Sequence, residues 1–167
     1  MDPRWLDETE MRAWVAFLDT SNLISRRVDG QLREAGGITQ QQYELLTRLA
    51  EAPARQRRMA ELADLLVVSR SGLTYQVAQL ERIGLVRRQP CADDDRGVLA
   101  VLTDAGQDVL ERAAPGHVRV VRESLIDLLD HAQLVALADS LSGVRQHLRS
   151  ADSKRESADR VIPPEHR

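Results

Sequence analysis

The chain has 167 residues, 43% of them hydrophobic and 29% charged, which is the composition of a soluble globular protein and excludes a wholly disordered chain. Aromatic residues make up only 3%, so the core must come from Leu, Val, Ala and Ile, which favours helix-on-helix packing over a large sheet. No apolar run is long enough to span a bilayer, the N-terminus has no signal-peptide layout, and a cytoplasmic protein is expected. The net charge of −3 argues weakly against nucleic acid, and the lone Cys91 excludes an internal disulfide.

Apolar residues recur at helical spacing from about Asp7 to Ala35, through Met11, Trp14, Val15, Leu18, Val28 and Leu32, and predict a long first helix ended by Gly36-Gly37. Thr39 with Gln42 three residues on forms a capping-box pattern for a second helix, which Pro53 stops. A short amphipathic helix is expected over Arg57 to Leu66. Val67-Val68-Ser69 makes a turn, and Ser69 caps a helix over Arg70 to Ile83 with Leu73, Val77 and Leu80 inward and Gly84 at its end.

Two short helices joined by three residues and followed by a hairpin are the layout of a winged helix-turn-helix. The hairpin strands are predicted at Leu85 to Gln89 and Val98 to Leu102, with a charged tip holding Asp94, Arg96 and Gly97. Thr103 caps a fifth helix carrying Val109, Leu110 and Ala113. Pro115 is expected to kink or break it before it resumes through Val120 to Leu129. Asp130 and Gln133 open a last helix with Leu134, Leu137, Leu141, Val144 and Leu148 on one stripe, and composition assigns a polar tail from Ser150.

The expected fold is therefore mainly α with a small β-hairpin wing. It divides into an N-terminal dimerisation helix (1–36), a winged helix-turn-helix (37–102), C-terminal dimerisation helices (103–149) and a tail (150–167). The terminal helices carry apolar stripes too extensive for the small domain to cover, so a two-fold dimer is expected, with reading helices roughly 34 Å apart.

Residues Val67 to Pro90 hold four arginines (70, 82, 87 and 88) against one carboxylate, Glu81. Ser69, Arg70, Ser71, Thr74, Tyr75 and Gln76 are the hydroxyls, amides and arginine available on the outward face of the capped helix, suited to phosphates and major-groove base edges. Arg87 and Arg88 alternate across the strand, so one is expected on backbone phosphate and the other toward the helices. Arg96 can probe a minor groove, with Asp94 clamping its guanidinium. Three consecutive aspartates, 93 to 95, next to DNA are tolerable only with such a clamp.

Val68-Ser69-Arg70-Ser71-Gly72-Leu73-Thr74, then Leu80-Glu81-Arg82-Ile83-Gly84-Leu85-Val86-Arg87-Arg88, then Asp94-Asp95-Arg96-Gly97 to Leu102-Thr103-Asp104-Ala105-Gly106 resembles the MarR family of bacterial transcriptional regulators. The resemblance implies a homodimer on a pseudo-palindromic double-stranded operator, with the helix from Arg70 in the major groove and Arg96 in the minor groove. It also implies a repressor released by a small, often phenolic, effector. Trp14, Phe17, Tyr43 and His117 are the candidate pocket groups, each of which core packing alone could also explain.

No phosphate loop, nucleophile elbow or metal-ligand spacing is present, so no enzyme, cofactor or metal is expected. The rival function is a winged-helix module that binds protein, suggested by the acidic total.

Overall fold

The computed structural model describes residues 3–91 and 94–159, with side chains at 94–96 and 152–159 outside the described set. Helix α1 (Glu8–Gly36) opens on a capping box in which Glu10 N–H donates to Asp7 Oδ1 at 2.8 Å and Asp7 N–H to Glu10 Oε2 at 3.0 Å. It ends where Gly37, at φ +67°, turns its N–H back onto the Arg33 carbonyl. Only Val28 and Leu32 of α1 are buried; its N-terminal half lies open. Helix α2 (Gln40–Ala50) has the Thr39–Gln42 capping box and buries Leu45, Leu46 and Leu49.

Strand β1 (Gln56–Arg58) corrects the expected helix start at Arg57. Pro53 opens a 3-10 turn, and Ala54 and Arg55, at φ +52° and +53°, swing the chain into an extended run that pairs with strand β3 (Asp94–Leu102). The partner of β1 lies more than forty residues downstream, out of reach of any local pattern. Helix α3 (Met59–Leu66) therefore begins later, with Arg58 at its N-cap and no side-chain cap.

Helix α4 (Arg70–Arg82) follows Val67, which closes α3 at φ +55°, and buries Leu73, Val77 and Leu80. Gly84, at φ +77°, ends it and lets Leu85 N–H reach the Leu80 carbonyl at 2.9 Å. Strand β2 (Val86–Cys91) pairs antiparallel with β3, giving a three-stranded sheet of order β1-β3-β2 with β2 at an edge. The register runs evenly to Pro90↔Val98 and then jumps to Cys91↔Asp94. Asp95, Arg96 and Gly97 are thus extra residues in β3, so Arg96 sits at a strand irregularity and not at the loop tip expected of it.

Helix α5 (Asp104–Ser124) starts at Thr103, whose Oγ1 accepts Gly106 N–H at 3.0 Å and donates to the Gly84 carbonyl at 2.7 Å. Against expectation, α5 is unbroken at Pro115. Pro115 and Glu111 are both exposed, so the carbonyl that loses its helical donor can turn to water, and Gln31 Nε2 donates to the next inward carbonyl, Ala113, at 3.4 Å. The break falls at Leu125 instead, followed by a 3-10 turn at Ile126–Leu128.

The core gathers Leu32, Ile38, Leu46, Leu62, Leu80 and Val86 with their neighbours from α1 to α5. Each such side chain contributes about 1.5–3 kcal/mol on burial. The chain divides into two compact units at Ser124/Leu125. The second unit carries helix α6 (His131–Asp159), opened by the expected Asp130–Gln133 capping box. α6 continues nine residues past Ser150, where a tail was expected; polar composition did not exclude helix, because this run has no Pro or Gly to stop it. No helix among the described residues is long and apolar enough to cross a membrane.

Candidate nucleic-acid interface

The exposed start of α4 is organised by its cap. Ser69 Oγ accepts Gly72 N–H at 3.1 Å and lies 3.2 Å from Ser71 Oγ, so both hydroxyls take part in local bonding. Thr74 Oγ1 donates to the Arg70 carbonyl at 2.8 Å, which commits its proton to the helix. Tyr75 is 62% exposed, whereas Gln76 is half-buried and donates to Gln41 Oε1 at 3.2 Å. Arg70 is exposed, and its guanidinium has no hydrogen-bond or ion-pair partner among the described residues. Of the six outward residues predicted on this helix face, Arg70 and Tyr75 are the two least engaged by the protein itself.

Arg70 and Thr74 share a cleft of about 420 Å³ with Arg58, Arg88, Gly97 and Val98, between the start of α4 and the strands of the wing. Arg58 was not among the predicted site residues. The signal that could have found it is the Pro53 turn, which brings the Arg57-Arg58 pair up beside the wing.

The two wing arginines divide as their alternation implies. Arg87 is exposed and donates to Gln89 Oε1 on its own strand. Arg88 turns to α4, where its Nε and Nη2 donate to Glu81 Oε2 at 2.8 and 2.6 Å and its backbone N–H donates to Glu81 Oε1 at 3.0 Å. These bonds to Arg88 hold the Glu81 carboxyl below the usual carboxylate range. Asp94 and Arg96 enter β3 by their backbone, and the predicted clamp between their side chains lies outside the described residues.

The four candidate pocket residues form two pairs. Trp14 and Phe17, each about half exposed, stack with centroids 6.3 Å apart on the open half of α1. Tyr43 and His117 pack ring on ring at 4.6 Å between α2 and α5. Gly116, next to His117, abuts Gln31, and fourteen residues of helix separate Gln31 from Phe17, about 20 Å along the axis. The two pairs therefore do not converge within the chain. Burial pushes the His117 imidazole below its ordinary pKa, with the Glu44 carboxylate opposing, and its Nδ1 is buried without a protein partner among the described residues. Burial likewise pushes the Tyr43 phenol up, with Thr47 opposing.

A family model described as MarR family matches residues 38–98, the stretch from α2 through the wing. Among solved structures, the chain is 41% identical to Sco3205, a MarR family transcriptional regulator from Streptomyces coelicolor crystallised in complex with DNA; the match covers 88% of this chain and 92% of that one at a TM-score of 0.85. AbsC, a MarR family regulator from the same organism, is 37% identical over 89% of this chain and 99% of its own, again at TM-score 0.85. An uncharacterized HTH-type transcriptional regulator of Bacillus subtilis, YdgJ, is 27% identical over 78% of this chain and 77% of its own length. The capped helix α4, the wing and the helices around them, together with these likenesses, establish that the chain belongs to the MarR family of transcriptional regulators.

Proposed function

We propose that this regulator is a homodimeric, sequence-specific repressor that binds a pseudo-palindromic operator, with α4 in the major groove and the wing reaching the minor groove. The observation that carries this reading is Arg70, a guanidinium on the first turn of a capped, exposed helix, with no hydrogen-bond or ion-pair partner among the described residues. A guanidinium so placed can grip guanine O6 and N7 bidentately. Support comes from the relative at 41% identity that was crystallised with DNA. Ser69, Ser71 and Thr74 then act mainly by shaping the helix start, Arg87 meets backbone phosphate, and Arg96, oriented by Asp94, enters the minor groove.

Dimerisation would cover the open half of α1 and the exposed stripe of α6, including Trp14, Leu18, Leu141 and Val144. Release from DNA is assigned to a small phenolic or aromatic-acid effector that engages the Tyr43–His117 pair, where a buried imidazole nitrogen has no protein partner among the described residues.

The test is selection of a preferred duplex from a random pool, followed by binding measurements over a salt series. Specific binding about 10³-fold or more tighter than to random duplex is expected. Arg70→Ala is expected to cost about 1–3 kcal/mol and to relax preference at one base pair per half-site. Binding no tighter than to random duplex would sink the assignment and favour a protein-binding module. Adding hydroxybenzoic acids to the preformed complex tests release; a Kd unchanged by them would remove the effector from the scheme.

A further inference from the structure

Glu81 is a carboxylate where one is twice disfavoured. It lies in the last turn of α4, whose C-terminal end repels negative charge, and it is the single acid in the arginine-rich stretch from Val67 to Pro90 that the proposed function sets against DNA phosphates. Both costs need an offset, and Arg88 supplies it through three hydrogen bonds to one carboxylate.

The third of those bonds involves the backbone. β2 is an edge strand, and the N–H of Arg88 points away from β3, out of the sheet toward α4. The next residue of the same alternation is Pro90, which has no N–H to offer. Arg88 is therefore the last residue of β2 whose outward N–H can tie the wing to the reading helix. Beyond it, three residues to Cys91 extend about 10 Å without such a tie. A tilt of about 10° at the tie would carry the end of β2 sideways by about 2 Å, enough to cost a groove contact its geometry.

We propose that Glu81 is a positioning residue for DNA recognition: by holding the backbone and guanidinium of Arg88, it sets the angle of the wing to α4 so that both meet the operator together. Arg88 is thereby an internal brace and not a phosphate contact. This inference rests on the proposed operator binding.

A double-mutant cycle on the full chain tests it, using the operator selected above. Glu81→Ala is expected to weaken operator binding about tenfold or more. In an Arg96→Ala background, where the wing has lost its groove contact, the same substitution should change affinity by no more than about twofold. Charge removal without positioning would do the opposite, because deleting a carboxylate and freeing Arg88 beside phosphates tightens binding; a rise in affinity overturns the brace. Equal losses in both backgrounds overturn it too, since they indicate general destabilisation. Glu81→Gln, which keeps an acceptor for the Arg88 N–H, is run through the same cycle with thermal unfolding alongside, and an intermediate loss that also vanishes in the Arg96→Ala background supports the proposal. A wild-type chain with no operator preference would defeat the proposed function itself, an outcome distinct from either result above.

Discussion

Val67 joins α3 to α4 at φ +55° and ψ +45°, a left-handed conformation that a β-branched residue adopts only under strain, while its side chain is 62% exposed and so gains little from packing. Val67→Gly should therefore raise stability by about 1 kcal/mol, read from chemical denaturation, because relief of the steric cost exceeds the added entropy of the unfolded chain. His117 makes the opposite kind of prediction. Its folded pKa is lowered by burial, so the native state holds it neutral while the unfolded chain takes a proton below about pH 6.5. Stability is present above that pH and is lost as pH falls toward the folded value. His117→Phe should flatten the dependence of Tm on pH across this window; an unchanged slope would assign the acid sensitivity elsewhere. Ser69 and Thr103 were legible as caps because a cap is a hydroxyl and an N–H three residues apart. The ring partner of His117 was not, since Tyr43 lies far away in sequence and only the packing of α2 on α5 brings the two together.

Gly106 shows how elements lock to one another. A Cβ there would fall against the Leu85 carbonyl and within 2.6 Å of Leu102 Cδ1, so α5 can start at the root of the wing only because this residue has no side chain. Gly106→Ala should cost about 2–3 kcal/mol in equilibrium unfolding, since one of the opposing atoms is backbone and cannot turn aside. Thr103→Ala, which removes the cap of α5 and its bond to Gly84, should cost about 1–2 kcal/mol. The helices and the β2–β3 hairpin were readable from period and punctuation. β1 was hidden because its three residues carry no alternation of their own and depend on a partner strand supplied by the wing. Pro115 misled in the other direction: a helix can continue through a proline when the i−4 carbonyl is able to tilt away from the ring and toward water, and here that carbonyl belongs to an exposed residue.

At the scale of the molecule, apolar surface left open on α1 is the main unresolved energy. Met11, Trp14, Phe17 and Leu23 of this helix are all exposed, a cluster of large apolar side chains of the kind that marks an interaction surface. If a second copy covers this surface, Trp14→Glu should raise the dimer dissociation constant about 30-fold, measured by sedimentation, and weaken operator binding with it. A variant that stays dimeric would shift the interface away from α1.

What the sequence by itself determined was the order and type of the main elements, their caps, the winged helix-turn-helix layout and the family, because each of these is written in spacings of two to four residues or in a short motif. Only the tertiary structure decided the third strand, the unbroken α5, the strand irregularity at Arg96, the separation of the two aromatic pairs and the capture of Arg88 by Glu81. These depend on which groups compete for the same donor or the same space once the chain is folded, and no local pattern records the outcome of that competition.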